Sequence, residues 1–165
     1  MAKARRAVII WDIDGVVANC DHRLHYILQT HPDWKSFHAE TMRDKPITHA
    51  IIVYKALALA GVDQVFCTAR HEVTRDDTRF WLYTYGLTGY QRLMMRRGDQ
   101  VGSSAQVKKE MLTDLWPDYI PILAFEDNPE CVQMYRQHGV PCFAADDSQW
   151  RQGTYKEANH DLTRG

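Results

Sequence analysis

The run Ala7-Val8-Ile9-Ile10-Trp11 is apolar throughout and leads into Asp12-Ile13-Asp14-Gly15-Val16. A continuous apolar run bounded by a glycine turn reads as a buried strand, and sheet enzymes place their ligands at the carboxyl ends of such strands. The two aspartates are therefore expected to face a cleft. Side chains two apart in a strand point the same way, so Asp12 and Asp14 begin as neighbours of like charge. Repulsion should push one pKa upward unless a cation or phosphate-binding chemistry holds the pair. One carboxylate can then act as a nucleophile and the other as a general acid. A lone Asp-x-Asp is equally an ordinary acidic turn, so the rest of the chain decides.

Beyond that turn, strand and helix signals alternate. Residues 19–29 and 32–42 form an insert, with Trp34, Phe37 and Met42 on one face of a short helix; a small lid over about 19–46 is expected, its aromatics packing on each other. A helix over 47–60 carries Ile51, Ile52, Leu57 and Leu59 between Pro46 and Gly61. Strands are expected at 62–67, 93–95, 120–125 and 140–144, and helices at 73–85, 105–115 and 129–138. The alternation implies right-handed crossovers and a mainly parallel five-stranded α/β sheet with helices on both faces. One domain over residues 1–150 and a polar, aperiodic tail over 151–165 complete the reading.

With 165 residues, 45% hydrophobic and 25% charged, the chain suits one globular domain. A formal net charge of −1 gives no global attraction to nucleic acid or membrane, leaving only local clusters such as Lys3, Arg5, Arg6 and Arg92, Arg96, Arg97. Each of these also reads as a solvated surface. Cys20, Cys67, Cys131 and Cys142 form no Cys-x-x-Cys pair, which argues against a structural zinc site and a disulfide framework. With no apolar stretch of spanning length and no cleavable signal pattern, a soluble cytoplasmic protein without membrane contact is expected.

Three further strand ends carry groups suited to phosphoryl transfer. Cys67-Thr68-Ala69-Arg70 offers a hydroxyl, backbone amides and a guanidinium for phosphate oxygens. Lys108, early in the fourth helix, could neutralise phosphate and the Asp12 carboxylate. Glu126 and Asp127, before Asn128-Pro129, could complete an oxygen-rich magnesium site with Asp12 and the Asp14 backbone carbonyl. Singly these are a helix cap, a solvated lysine and a helix entry; together they form one proposition.

The chain thereby resembles the haloacid dehalogenase-like (HAD) phosphatase superfamily, whose four motifs match Asp12-Ile13-Asp14-Gly15-Val16, Thr68, Lys108 and Glu126-Asp127 in order. The resemblance runs from about Ala7 to Trp150. It implies a Rossmannoid three-layer fold with a small cap and a two-step, magnesium-dependent hydrolysis. Asp12 would be the nucleophile, Asp14 the acid and then the base, Thr68 and Lys108 the charge stabilisers. Asp127, with Glu126, would anchor the metal. Within that superfamily the chain bears a closer likeness to the 3′-phosphatase domain of phage polynucleotide kinase-phosphatases. That likeness rests on Arg23, eleven residues after the nucleophile, on Thr68-Ala69-Arg70 and on Arg97-Gly98-Asp99 before Lys108. It implies that Arg23, Ala69, Arg70 and Arg97 contact the substrate. The acidic residue that the family carries four positions before the lysine is Ser104 here. No Gly-x-x-x-x-Gly-Lys-Ser/Thr loop occurs, so any kinase or ligase step would belong to a separate partner.

The leading expectation is a polynucleotide 3′-phosphatase. Its rivals are a nucleotidase for free nucleoside monophosphates, served by the same residues, and a binding module that recognises a phosphorylated end without turnover.

Overall fold

The computed structural model describes residues 4–145. The expected tail at 151–165, the domain boundary at 150 and Lys3 lie outside the described residues.

In chain order the elements are β1 (Arg6–Trp11), β2 (Ala18–Asn19), a 3-10 turn (Asp21–Tyr26) and α1 (Trp34–Ala39). Then come β3 (Lys45–Pro46), α2 (Thr48–Leu59), β4 (Asp63–His71), α3 (Arg75–Thr84) and β5 (Arg92–Arg96). The last are α4 (Ser104–Leu115), β6 (Tyr119–Glu126), α5 (Pro129–Gln137) and β7 (Cys142–Ala144). Five strands make one parallel sheet in the order β5-β4-β1-β6-β7, so every carboxyl end opens on the same edge.

The unbroken hydrophobicity of β1 follows from its central place. Val8 and Ile10 pack on the α4 and α5 side with Val65, Leu112 and Tyr135. Ile9 and Trp11 pack on the α2 and α3 side with Tyr54, Phe66 and Trp81. Alternate side chains thus serve two cores, and three layers result.

Two irregularities in the ladders matter. Pro121 falls inside β6 although proline cannot donate to a ladder; the register shifts beside it, Val8 facing Pro121 and Ile9 facing Leu123, which leaves Ile122 as the extra residue. In β4, Cys67 faces Met94 and His71 faces Arg96, so Thr68, Ala69 and Arg70 lie in a bulge opposite one residue of β5. The sequence pattern ends this strand at residue 67, where hydrophobicity stops. The backbone continues to His71 because the bulge turns those polar side chains toward the open edge instead of the cores.

Between β2 and β3, which pair antiparallel for two residues each, the chain leaves the sheet as a cap (Ala18 facing Pro46, Asn19 facing Lys45). Cys20, Leu24, Ile27, Trp34 and Phe37 form its small core, with Trp34 and Phe37 edge to face at 5.7 Å. Met42 does not join that face and is exposed. On α2, Ile51 is buried, whereas Ile52 and Leu59 face solvent, so its apolar character exceeds its apolar face.

Ile10→Ala, at a fully buried position between two neighbouring strands, is expected to cost about 2–5 kcal/mol by urea denaturation. Ile122→Ala, at the half-exposed bulge, should cost markedly less.

Candidate active site

Two groups of buried charge meet at the carboxyl edge of the sheet. The first surrounds Asp12, immediately after β1. Lys108 reaches it from α4, a helix whose start is fixed by a capping box: the Gln106 amide donates to the Ser103 hydroxyl and the Ser103 amide to the Gln106 side chain. Lys108 Nζ lies 2.8 Å from Asp12 Oδ1 and donates to Glu126 Oε2 at 2.6 Å. The other oxygen of Glu126 accepts the Asp127 and Asn128 amides, both at 3.2 Å. Asn128 in turn caps α5 by accepting the Glu130 amide, with Pro129 in the first turn.

Glu126 is therefore committed through both oxygens, and Asp127 is not. Asp127 Oδ2 is buried without a hydrogen-bond partner among the described residues. Carboxylate oxygens of Asp12, Glu126 and Asp127 lie within 4.8 Å of one another. Burial and the Glu126 charge push Asp12 up to about 7 against the opposing pull of Lys108. Burial first, then Glu126 and Asp12, push Asp127 well above the carboxylate range. Three carboxylates against one ammonium leave a negative balance that a hard, oxygen-seeking divalent cation would offset, and the unpartnered Asp127 oxygen is a suitable ligand atom. The residues fit such an ion.

Gly15 permits this approach. With φ at +77°, it closes the turn after Asp14, and a Cβ there would lie 2.0 Å from Asp127 Oδ2.

The second group surrounds Asp14. Arg23, on the cap's 3-10 turn, donates through Nη2 to Asp14 Oδ1 at 2.5 Å. Arg70, from the β4 bulge, donates to the same oxygen through Nη2 at 2.6 Å. Both guanidiniums also donate to Asp44, at the end of the cap. Burial pushes Asp14 upward, but Arg23 and Arg70 outweigh it and hold the carboxyl below its ordinary value. The expected repulsion between Asp12 and Asp14 is thus mostly overridden: each aspartate has its own cations, and the raised pKa falls on Asp12 and Asp127, not on Asp14.

One cleft joins the two groups. Asp12, Asp14, Thr68, Ala69, Arg70, Ser104, Lys108, Glu126 and Asp127 line its floor, and Leu24, Ile27, Trp34, Phe37 and His38 of the cap form its wall. The wall departs from the expectation that cap aromatics only pack on each other. Thr68 is buried and its hydroxyl accepts the Arg70 amide at 3.2 Å. Ser104, where the family carries an acid, is a buried neutral residue of the floor.

Arg23 stands behind Asp14, fully buried with its guanidinium 4.0 Å from the Phe37 ring centre, and surface solvation is ruled out for it and for Arg70. Arg97 does not reach the cleft: it is half-exposed beside Asp99, Glu110 and Asp114. The basic cluster around it disperses as well, since Arg96 is buried and Arg92 pairs with Asp118. Asp44 carried no signal in the sequence, where Arg43-Asp44-Lys45 reads as a charged turn.

The sequence matches a family model described as the polynucleotide kinase PNKP phosphatase domain over residues 6–150. A comparison with curated proteins finds no match. Among solved structures, a chain of the Pnkp1/Rnl/Hen1 complex superposes with a TM-score of 0.73 at 22% identity, over 88% of this chain and 47% of that one. The class C acid phosphatase from Bacillus anthracis with tungstate bound gives 0.62 at 14% identity, over 93% and 74%. A haloacid dehalogenase-like hydrolase, SP0104 from Streptococcus pneumoniae, gives 0.59 at 12%, over 84% of each chain. These likenesses show a shared HAD-like fold. The chain spans just under half the length of the Pnkp1/Rnl/Hen1 chain that it matches. No helix among the described residues is long and apolar enough to cross a membrane.

Gly15→Ala is expected to cost about 1–3 kcal/mol, because an L side chain would be strained at that φ and would displace Asp127; thermal melting with and without magnesium checks both parts. A second expectation concerns His38, which burial, then Arg23 and Arg70, lower to about 3. The folded protein keeps it neutral while the unfolded chain takes up a proton below about 6.5, so its contribution is lost as pH falls from about 6.5 toward 3. The stability gap between wild type and His38→Gln should shift against wild type by up to about 1.4 kcal/mol per pH unit in that window, read from urea midpoints at pH 7, 6 and 5.

Proposed function

The chain belongs to the polynucleotide kinase PNKP phosphatase domain family, and on that footing we propose that it is a magnesium-dependent phosphatase of nucleotide-type monoesters, acting on a polynucleotide 3′ end. The observation that carries this reading is Asp12 at the end of the central strand, 2.8 Å from the Lys108 ammonium and clustered with the unpartnered Asp127.

An Asp12 oxygen attacks phosphorus, an aspartyl-phosphate bond forms, and the P–O bond to the nucleotide breaks. Asp14 gives a proton to the departing oxygen. Asp14 then takes a proton from water as that water attacks phosphorus, releasing phosphate and restoring Asp12. As the phosphate enters, it competes with Asp14 for Arg70, which loosens the hold on Asp14 and lets it carry a proton. Thr68, the adjacent backbone of Ala69, and Lys108 face the phosphoryl oxygens. Asp12 and Asp127 would hold Mg2+, with Glu126 fixing Lys108 and the start of α5. The ion supplies positive charge to the phosphoryl oxygens when bound.

The family supports the polynucleotide end as substrate. The likeness to a chain of the Pnkp1/Rnl/Hen1 RNA repair complex supports kinase or ligase activities supplied elsewhere. One observation favours the second reading, a nucleotidase for free monophosphates: the Arg92, Arg96, Arg97 cluster offers no open basic patch for a polymer.

Phosphate release from oligonucleotides bearing 3′- or 5′-phosphate, and from free 3′- and 5′-mononucleotides, separates the two. A 3′-oligonucleotide preference that weakens steeply with salt supports end repair; preference for free monophosphates, insensitive to salt, overturns it. Chelation of divalent ions should abolish release and added magnesium restore it. Asp12→Asn should lower turnover by about 10³-fold or more while circular dichroism and melting still report a folded protein. Residual activity near wild type would overturn the mechanism.

A further inference from the structure

We infer that Asp44, which does not line the cleft, is the positioning residue that holds Arg70, with Arg23 braced behind it, as the phosphate-binding guanidinium of the cleft. The inference rests on the functional reading above and assigns its specificity for phosphate to a residue outside the motifs.

Asp44 is 1% exposed and lies at the junction of cap and core. Arg23 holds it side-on, Nε to Oδ1 at 2.7 Å and Nη2 to Oδ2 at 2.8 Å. Arg70 Nη2 donates to Oδ2 at 2.5 Å from the other direction. His22 Nε2 lies 2.9 Å from Oδ1, and Trp81 of α3 donates its indole N–H to the Asp44 carbonyl at 2.9 Å. The residue is therefore fixed through its backbone by the core and through its carboxylate by both arginines.

Asp44 and Asp14 share the same two guanidiniums, Nη2 of each arginine donating to both carboxylates. Two buried positive charges facing Asp14 alone would both turn onto it, unbalanced and without a fixed fork. With Asp44 behind them the quartet is neutral, and each guanidinium keeps its plane while its front edge shares Asp14. A phosphate arriving at the cleft then meets an oriented Arg70, with Arg23 bracing Asp14 from behind, rather than a collapsed ion pair. Because Arg23 belongs to the cap and Arg70 to the sheet, their common tie through Asp44 also makes seating of the cap and orientation of Arg70 one event.

The test compares wild type, Asp44→Asn, Asp44→Glu and Arg70→Ala with two readouts: hydrolysis of 4-nitrophenyl phosphate, and calorimetric binding of inorganic phosphate in the presence of magnesium. Asp44→Asn keeps the shape and removes the charge. The expected result is a KM raised about tenfold or more, phosphate affinity weakened by a similar factor and a smaller change in kcat. Asp44→Glu should recover part of the loss, and Arg70→Ala should add less than twofold when combined with Asp44→Asn, because Arg70 is already unseated. Unchanged or tighter phosphate binding in a folded Asp44→Asn, a fall in kcat alone, or additive effects with Arg70→Ala would overturn the inference. Should Asp44→Asn fail to fold, Asp44→Glu decides: carrying the charge one methylene too far, it must still raise KM above wild type, and wild-type KM and phosphate affinity would overturn the role. Wild-type protein that binds phosphate but hydrolyses no monoester would overturn the phosphatase reading while the calorimetric comparison still decides on Asp44.

Discussion

Lys108 is a fully buried ammonium held between Asp12 and Glu126, and the site depends on that contact. Burial opposes its charge, but the two carboxylates more than offset this and raise its proton affinity well above the ordinary value. An isolated ammonium at this depth would lose its proton, and three isolated carboxylates could not all remain ionised. The lysine sets the distance between Asp12 and Glu126, Glu126 gathers the amides that begin α5, and Asp127 is left directed at the turn containing Gly15. Backbone, helix entry and candidate nucleophile are linked through one cation.

The same rule governs the neighbouring group, with a different outcome. Around Asp12, negative charge exceeds positive; around Asp14 and Asp44, two guanidiniums balance two carboxylates. Two aspartates separated by one residue therefore sit in opposite electrostatic surroundings. Proximity in sequence says little about their proton affinities, because what each touches comes from distant elements: α4 and β6 for one, the cap and β4 for the other.

That contrast explains what could be read from the chain. Strand and helix alternation gave the parallel α/β architecture, because hydrophobic periodicity is local and β1 is buried on both sides. The continuation of β4 through Thr68, Ala69 and Arg70 escaped the pattern, since a bulge at an open edge removes the apolar signal without ending the strand. Arg97 was proposed beside the substrate from a short local likeness. Arg96 ends β5 pointing inward, and the next residue leaves the sheet among surface carboxylates. Asp44 was invisible for the opposite reason: its neighbours Arg43 and Lys45 are solvated, and only the folded chain shows that it is not.

The cap leaves and rejoins the sheet through adjacent, antiparallel residues, Ala18–Asn19 and Lys45–Pro46. Its two ends are thus separated by only one strand spacing, roughly 5 Å. To the core, the intervening segment is a loop whose length is nearly free, since closing it requires nothing from its interior. Geometrically it is an exchangeable module, and caps of other sizes could grow from the same two-residue stem. What a replacement must preserve is electrical: an arginine supplied without its carboxylate, or a carboxylate without its arginine, would leave beside the Arg70–Asp14 pair a buried charge that no enlargement of the cap's apolar core could neutralise.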